Sequence, residues 1–139
     1  MTDRSYVPEW AGVVTPYLCV RDCAKAIDWY ADVFGAVEMG ERYIEQGGRV
    51  GHAALAIDGD VVMLSDSFPD FGAEAPPDGN RTTSYALNVY VPDVDATMAR
   101  AEAAGAFVQA APEDQPYGSR MGKIFDPFGV RWMIATHQG

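Results

Sequence analysis

The chain has 139 residues, 48% of them hydrophobic and 22% charged, which supports one domain with a real core and little more. Acidic residues outnumber basic ones 20 to 10, for a net charge of −10; phosphate backbones are bound by clustered Lys and Arg, so nucleic acid is excluded as a partner. No apolar run nears the roughly 20 residues that cross a bilayer, and the opening stretch MTDRSYVPEW lacks the apolar core of an export signal. A cytoplasmic protein with no membrane partner is expected. Its two cysteines, Cys19 and Cys23, have no His beside them to complete a zinc site and depart from the C-x-x-C redox spacing. They read as small side chains kept in a reducing compartment.

Residues Val13 to Val20 are apolar and β-prone and read as a strand. Asp22 stands where a helix N-cap belongs, and Cys23, Ala26, Ile27, Tyr30 and Phe34 follow as one helical stripe, ended by Gly35. Trp29, adjacent to Tyr30, falls off that stripe and flanks it. Three extended stretches come next, Val37–Glu45, Val50–Ile57 and Val61–Ser65; Gln46-Gly47-Gly48 separates the first two and Asp58-Gly59-Asp60 turns the second into the third. Residues 67–82 are rich in Pro, Gly and acid and form a linker. The pattern then restarts: a strand over Thr83–Val91, a helix start at Pro92-Asp93, and a stripe of Val94, Met98, Ala101 and Ala104 stopped by Gly105. Strands are expected over Ala106–Ala110, around Ile124-Phe125 and over Val130–Thr136, the last two joined through Asp126-Pro127-Phe128-Gly129.

Val20-Arg21-Asp22 aligns with Val91-Pro92-Asp93 at an offset of 71 residues, and Val61-Val62-Met63-Leu64 with Val130-Arg131-Trp132-Met133 at an offset of 69. Near-equal offsets at opposite ends mark a tandem duplication of one β-α-β-β-β unit. Two such units can each cover one sheet face with a helix and turn the other face, carrying alternate side chains, toward a cavity.

The residues Thr15-Pro16-Tyr17-Leu18, Ala26-Ile27-Asp28-Trp29-Tyr30, Phe34-Gly35-Ala36 and Gly51-His52-Ala53 resemble the vicinal oxygen chelate superfamily, the glyoxalase and bleomycin-resistance group, in its PhnB-like branch. Asp114-Gln115-Pro116-Tyr117-Gly118, Asp126-Pro127-Phe128-Gly129 and Trp132-Met133-Ile134-Ala135-Thr136-His137 complete the likeness, which runs from Val13 to His137. It implies an α+β fold, one structural domain in which modules 13–66 and 83–137 form a curled eight-stranded mixed sheet around a cup, helices outside. Residues 1–12 are left as an N-terminal extension. Such motifs are specific for the fold and weak for function, because one fold hosts many chemistries.

Metal enzymes of that superfamily bind a divalent ion in the cup through His and Glu on the first and last strand of each module. The matching positions here are Thr15, Leu64, Ala86 and Met133. Thr is a poor ligand, and Leu, Ala and Met do not hold a hard or borderline divalent ion. The surrounding stretches add only Asp66 and Asn88. The departure argues against isomerase, epimerase, lyase, thiol-transferase and ring-cleaving dioxygenase chemistry together, since each uses the ion to polarise paired oxygens. No metal, cofactor or catalytic residue is therefore expected. One alternative stays open: a metal-dependent lyase, isomerase or dioxygenase with an atypical ligand set built on His52, in an inner strand, or His137, which has the parity of Met133.

With Thr15 inward, Tyr17 and Cys19 share its face; Ala86 brings Asn88 and Tyr90, Leu64 brings Val62 and Asp66, and Met133 brings Arg131 and Ala135. The expected ligand-binding set is Tyr17, Leu64, Asn88, Tyr90 and Met133, joined by His52 and by Tyr117 and Arg120, which could close over a ligand. Rings and thioethers with few polar handles suit stacking against a flat or amphipathic molecule, and no nucleophile–base pair is present. The same side chains could instead fill the cup completely. Acidic residues Asp66, Asp70, Glu74 and Asp78 would draw a cation to the mouth or serve solubility alone. The resemblance then implies a metal-free protein that sequesters a hydrophobic or aromatic small molecule such as an antibiotic, cationic if the acidic field selects it, as a homodimer.

Overall fold

Among the described residues, each α-helix is fixed at its start by an acidic side chain and bears on one face of a sheet. The structure, a computed structural model, describes residues 3–139, so the first two residues of the expected N-terminal extension lie outside the described residues. Two compact units divide between Glu74 and Ala75.

In the first unit, β1 (Tyr17–Cys19) leads into α1 (Cys23–Phe34), followed by β2 (Val37–Glu38), β3 (Tyr43–Ile44), β4 (Val50–Ile57) and β5 (Asp60–Ser65). The sheet runs β1-β5-β4-β2, with β3 also on β4. β1 lies parallel to β5, and the other pairings are antiparallel. Helix α1 buries Cys23, Ala26, Ile27, Tyr30 and Val33, the spacing of an amphipathic stripe. Trp29 is buried as well, meeting Tyr30 and Phe34 edge-on at 5.7 and 6.0 Å. Gly35 closes the helix at φ 69°, its N–H donating to Ala31 O, a left-handed conformation that a Cβ would oppose. The extended stretch expected over 37–45 is two short strands. Gly40 at φ 66° breaks it, and Arg42 turns back to pair with Glu38 at 2.8 Å.

In the second unit, β6 (Leu87–Tyr90), α2 (Val94–Ala103), β7 (Phe107–Asp114), β8 (Ser119–Phe125) and β9 (Arg131–His137) form a four-stranded sheet of order β6-β9-β8-β7, β6 parallel to β9. Asp93 caps α2 by accepting from Ala96 N at 3.1 Å. Strands β7 and β8 are longer than expected, because Gln115 to Gly118 make a tight hairpin turn (Gln115 N to Ser119 O, 2.7 Å; Gly118 φ 93°). That turn carries pairing out to Asp114↔Arg120, with register shifts along β7.

The two units repeat one plan. Tyr17 pairs with Met63 across β1 and β5, and Asn88 with Met133 across β6 and β9, so the equivalent positions are 71 and 70 residues apart. The α+β class and the tandem β-α-β-β-β modules are as expected; the strands form two sheets of five and four rather than one continuous eight-stranded sheet. No helix among the described residues is long and apolar enough to cross a membrane.

Candidate functional site

Strand pairing decides which side chains share a face, because residues directly opposite each other point the same way. In the second unit, Gly122 marks the helix side: a Cβ there would lie 2.6 Å from Met98 Cε of α2. Ile134 and Trp132, fully buried, share that side. The opposite face therefore carries Asn88 beside Met133, Tyr90 beside Ala135, and Lys123 and Met121 across from those two. Asn88 and Tyr90 are exposed and Met133 is half-buried, so these three expected residues do come together. Tyr117, exposed in the β7–β8 turn, donates its hydroxyl to Met121 Sδ at 3.8 Å and so reaches the same face.

Arg120 does not. It pairs with Thr136 on the helix side and is held by Asp95 of α2 (2.8 and 3.0 Å) and by Asp114 (3.3 Å). The Arg120 hydrogen bonds hold the Asp95 carboxyl below its ordinary range. A guanidinium committed to two carboxylates clamps α2 to the β7–β8 hairpin and is not a closing group. Sequence reasoning also missed Arg81: its guanidinium lies 4.2 Å over Phe107 and 5.7 Å over Phe125, a cation–π contact made from an irregular linker that has no periodicity to read.

In the first unit, Tyr17 lies beside Met63, and Met63 beside Ala54. His52 is two residues from Ala54 on the same strand and shares its face. Leu64 corrects the expected set: it pairs with Leu18 and Ala53, is fully buried, and belongs to the core side. The residue equivalent to Met133 is Met63, one position earlier, and a one-residue slip of register exchanges the faces of a strand. The Tyr17 hydroxyl stands 2.9 Å from His52 Nδ1 and 3.2 Å from Gly51 O, with the rings 5.6 Å apart. The Tyr17 side chain is exposed; partial desolvation of its hydroxyl, reinforced by the nearby Cys23 and Cys19, raises its pKa. Cys19 lies toward Asp66 O and Ser67 Oγ at 3.6 and 3.8 Å, its thiol pKa raised by burial.

Asp66, expected at the mouth, is engaged by the backbone. Its two carboxylate oxygens accept from Cys23 N at 2.8 Å and Val50 N at 2.7 Å, tying the start of α1 to β4. An open depression of about 500 Å³ lies at this corner, with Asp66 itself in its lining beside Val20, Arg21, Asp22, Arg49 and Ser67. Asp66 already occupies the helix N-terminus there, and neither Tyr17 nor His52 lines the depression. His137 ends β9 opposite Ser119 and is exposed.

A divalent ion of the superfamily kind finds no suitable donors at the matching positions. Thr15 and Ala86 precede Tyr17 and Asn88 by two residues, and Met63 and Met133 pair with them; a hydroxyl, a methyl and two thioethers are not ligands for such an ion. Among the described residues no three of His, Cys, Asp and Glu converge as a metal-holding group.

The Glyoxalase/Bleomycin resistance protein/Dioxygenase superfamily profile matches residues 11–134, and the chain belongs to that superfamily. It is 43% identical over 123 residues to the protein named Uncharacterized protein Mb0911c of Mycobacterium bovis (strain ATCC BAA-935 / AF2122/97), covering 87% of this chain and 80% of that one. Among solved structures it is similar to TioX from Micromonospora sp. ML1, with 27% identity, a TM-score of 0.66, and coverage of 90% of this chain and 95% of that one. It also shares its fold with a PhnB protein from Bacillus cereus, at 21% identity and a TM-score of 0.68, over 90% and 99% of the two chains.

Proposed function

We propose that this protein is a metal-free small-molecule-binding member of its superfamily, a cytoplasmic homodimer that sequesters a hydrophobic or aromatic compound of the antibiotic kind. One observation carries the reading. Where the metal enzymes of the superfamily present His and Glu, the equivalent sheet faces here carry Tyr17, Asn88 and Tyr90 with the thioethers of Met63 and Met133. Aromatic rings offer stacking surface at low entropic cost, and thioethers adapt to irregular shapes; neither group activates a bond. The net charge of −10 favours a cationic ligand through long-range attraction.

The test is intrinsic-fluorescence titration against a panel of planar aromatic antibiotics, cationic and neutral. Saturable quenching by at least one of them, weakened about fivefold by Tyr90→Ala or Met133→Ala, is the expected result, as loss of one ring or thioether contact is worth about 1 kcal/mol. No response across a wide panel contradicts the reading.

A further inference from the structure

The Tyr17 hydroxyl has one proton and two neighbours. Gly51 O, 3.2 Å away, can only accept, whereas His52 Nδ1, 2.9 Å away, can accept or donate according to tautomer. Both contacts are hydrogen bonds at once in one arrangement alone: His52 Nδ1–H donates to the Tyr17 oxygen, and the Tyr17 hydroxyl donates to Gly51 O. If Tyr17 donated to Nδ1 instead, the carbonyl would lose this donor and the imidazole would present an N–H outward. A phenol is protonated at neutral pH, which keeps Tyr17 a donor and the chain of bonds intact.

We infer that His52, held by Tyr17 and Gly51, presents the bare Nε2 of a fixed imidazole tautomer on the Tyr17–Met63 face as the acceptor for an acidic O–H of the ligand, making a phenol-bearing aromatic the preferred class. This inference rests on the aromatic-ligand reading and sharpens it. Rings and thioethers alone select shape, and a fixed acceptor adds selection for a donor, because the analogue lacking the O–H leaves that nitrogen unpaired. Tyr17 acts here as a positioning residue for His52. The imidazole is half-buried and its second nitrogen is already engaged, so it is oriented before a ligand arrives, as second-neighbour hydrogen bonds orient histidines in other sites.

Two readouts test this. The first needs no ligand: heteronuclear NMR of the ring nitrogens at alkaline pH, in a His137→Asn background that leaves one imidazole to assign. The Nδ1–H tautomer is expected for His52, collapsing toward the ordinary mixture in Tyr17→Phe; a dominant Nε2–H tautomer overturns the inference. The second is titration with a naphthol and its methyl ether. Roughly tenfold tighter binding of the naphthol is expected, a preference lost in His52→Phe and reduced in Tyr17→Phe. Equal binding of the pair overturns the role of His52 and leaves the aromatic-ligand reading standing. Failure of both to bind also overturns it, while the antibiotic panel judges the broader reading separately.

Discussion

Asp126 is buried at 3% exposure and its carboxylate accepts from Phe128 N at 2.8 Å, Val130 N at 3.0 Å and Trp132 Nε1 at 2.8 Å. Removing the carboxylate would strand three buried donors, so Asp126→Ala is expected to lower stability by about 3 kcal/mol in urea denaturation. From sequence the stretch Asp126 to Gly129 was legible as a turn; the tie to the Trp132 indole was not, because it links residues six apart through a side chain. Cys23 makes a second expectation. Burial pushes its thiol from the ordinary value of 9.0 up to about 12, with Asp66 adding to the effect. The unfolded chain ionises first, so the fold's advantage is whole below about pH 9 and drains away as pH climbs toward about 12. Stability should therefore fall by up to about 1.4 kcal/mol per pH unit across that window from this group, and Cys23→Ala should flatten the alkaline limb in denaturation curves. At neutral pH a thiol reagent should leave Cys23 unmodified until denaturant is added.

At the scale of elements, equivalent positions do one job with different chemistry. Asp66 follows β5 and accepts from Cys23 N at the start of α1, while Thr136, 70 residues on in β9, accepts from Val94 N at the start of α2 and donates to Val91 O. Asp66→Ala, which also frees Val50 N, should cost about 2 kcal/mol, and Thr136→Val about 1 kcal/mol, measured by thermal or urea melting. Gly122→Ala should cost a similar 1–2 kcal/mol or so, since the new methyl meets Met98 at 2.6 Å and the backbone Ala110 O at 3.2 Å. Element identity was readable because helix stripes, N-caps and glycine stops are local signals: α1, α2, β4, β5 and β9 lie close to their expected ranges. Register was less so. The two hairpins differ in length, Ile57↔Asp60 in one and Phe125↔Arg131 in the other. Aligning the strands by their first valines, Val61 on Val130, therefore slipped the frame by one and put Leu64 in place of Met63. The second unit's Asn88, Tyr90 and Met133 were taken from adjacent strands by parity alone and share a face as parity requires.

At the scale of the molecule, superfamily membership was legible in the duplicated modules, and the profile match over residues 11–134 agrees with it. The candidate binding faces were legible only in part. Alternation supplies a face but not a partner, so the Arg120 clamp to Asp95, the Arg81 stack on Phe107 and the Tyr17–His52 contact all waited on three-dimensional placement. The central claim is that the Tyr17–Met63 face grips an aromatic ligand by ring, thioether and one oriented imidazole, without an ion. The direct measurement is the dissociation constant of a bound aromatic ligand before and after exhaustive dialysis against a chelator. An unchanged value is predicted; binding lost to the chelator and restored by a stoichiometric divalent ion would contradict the account.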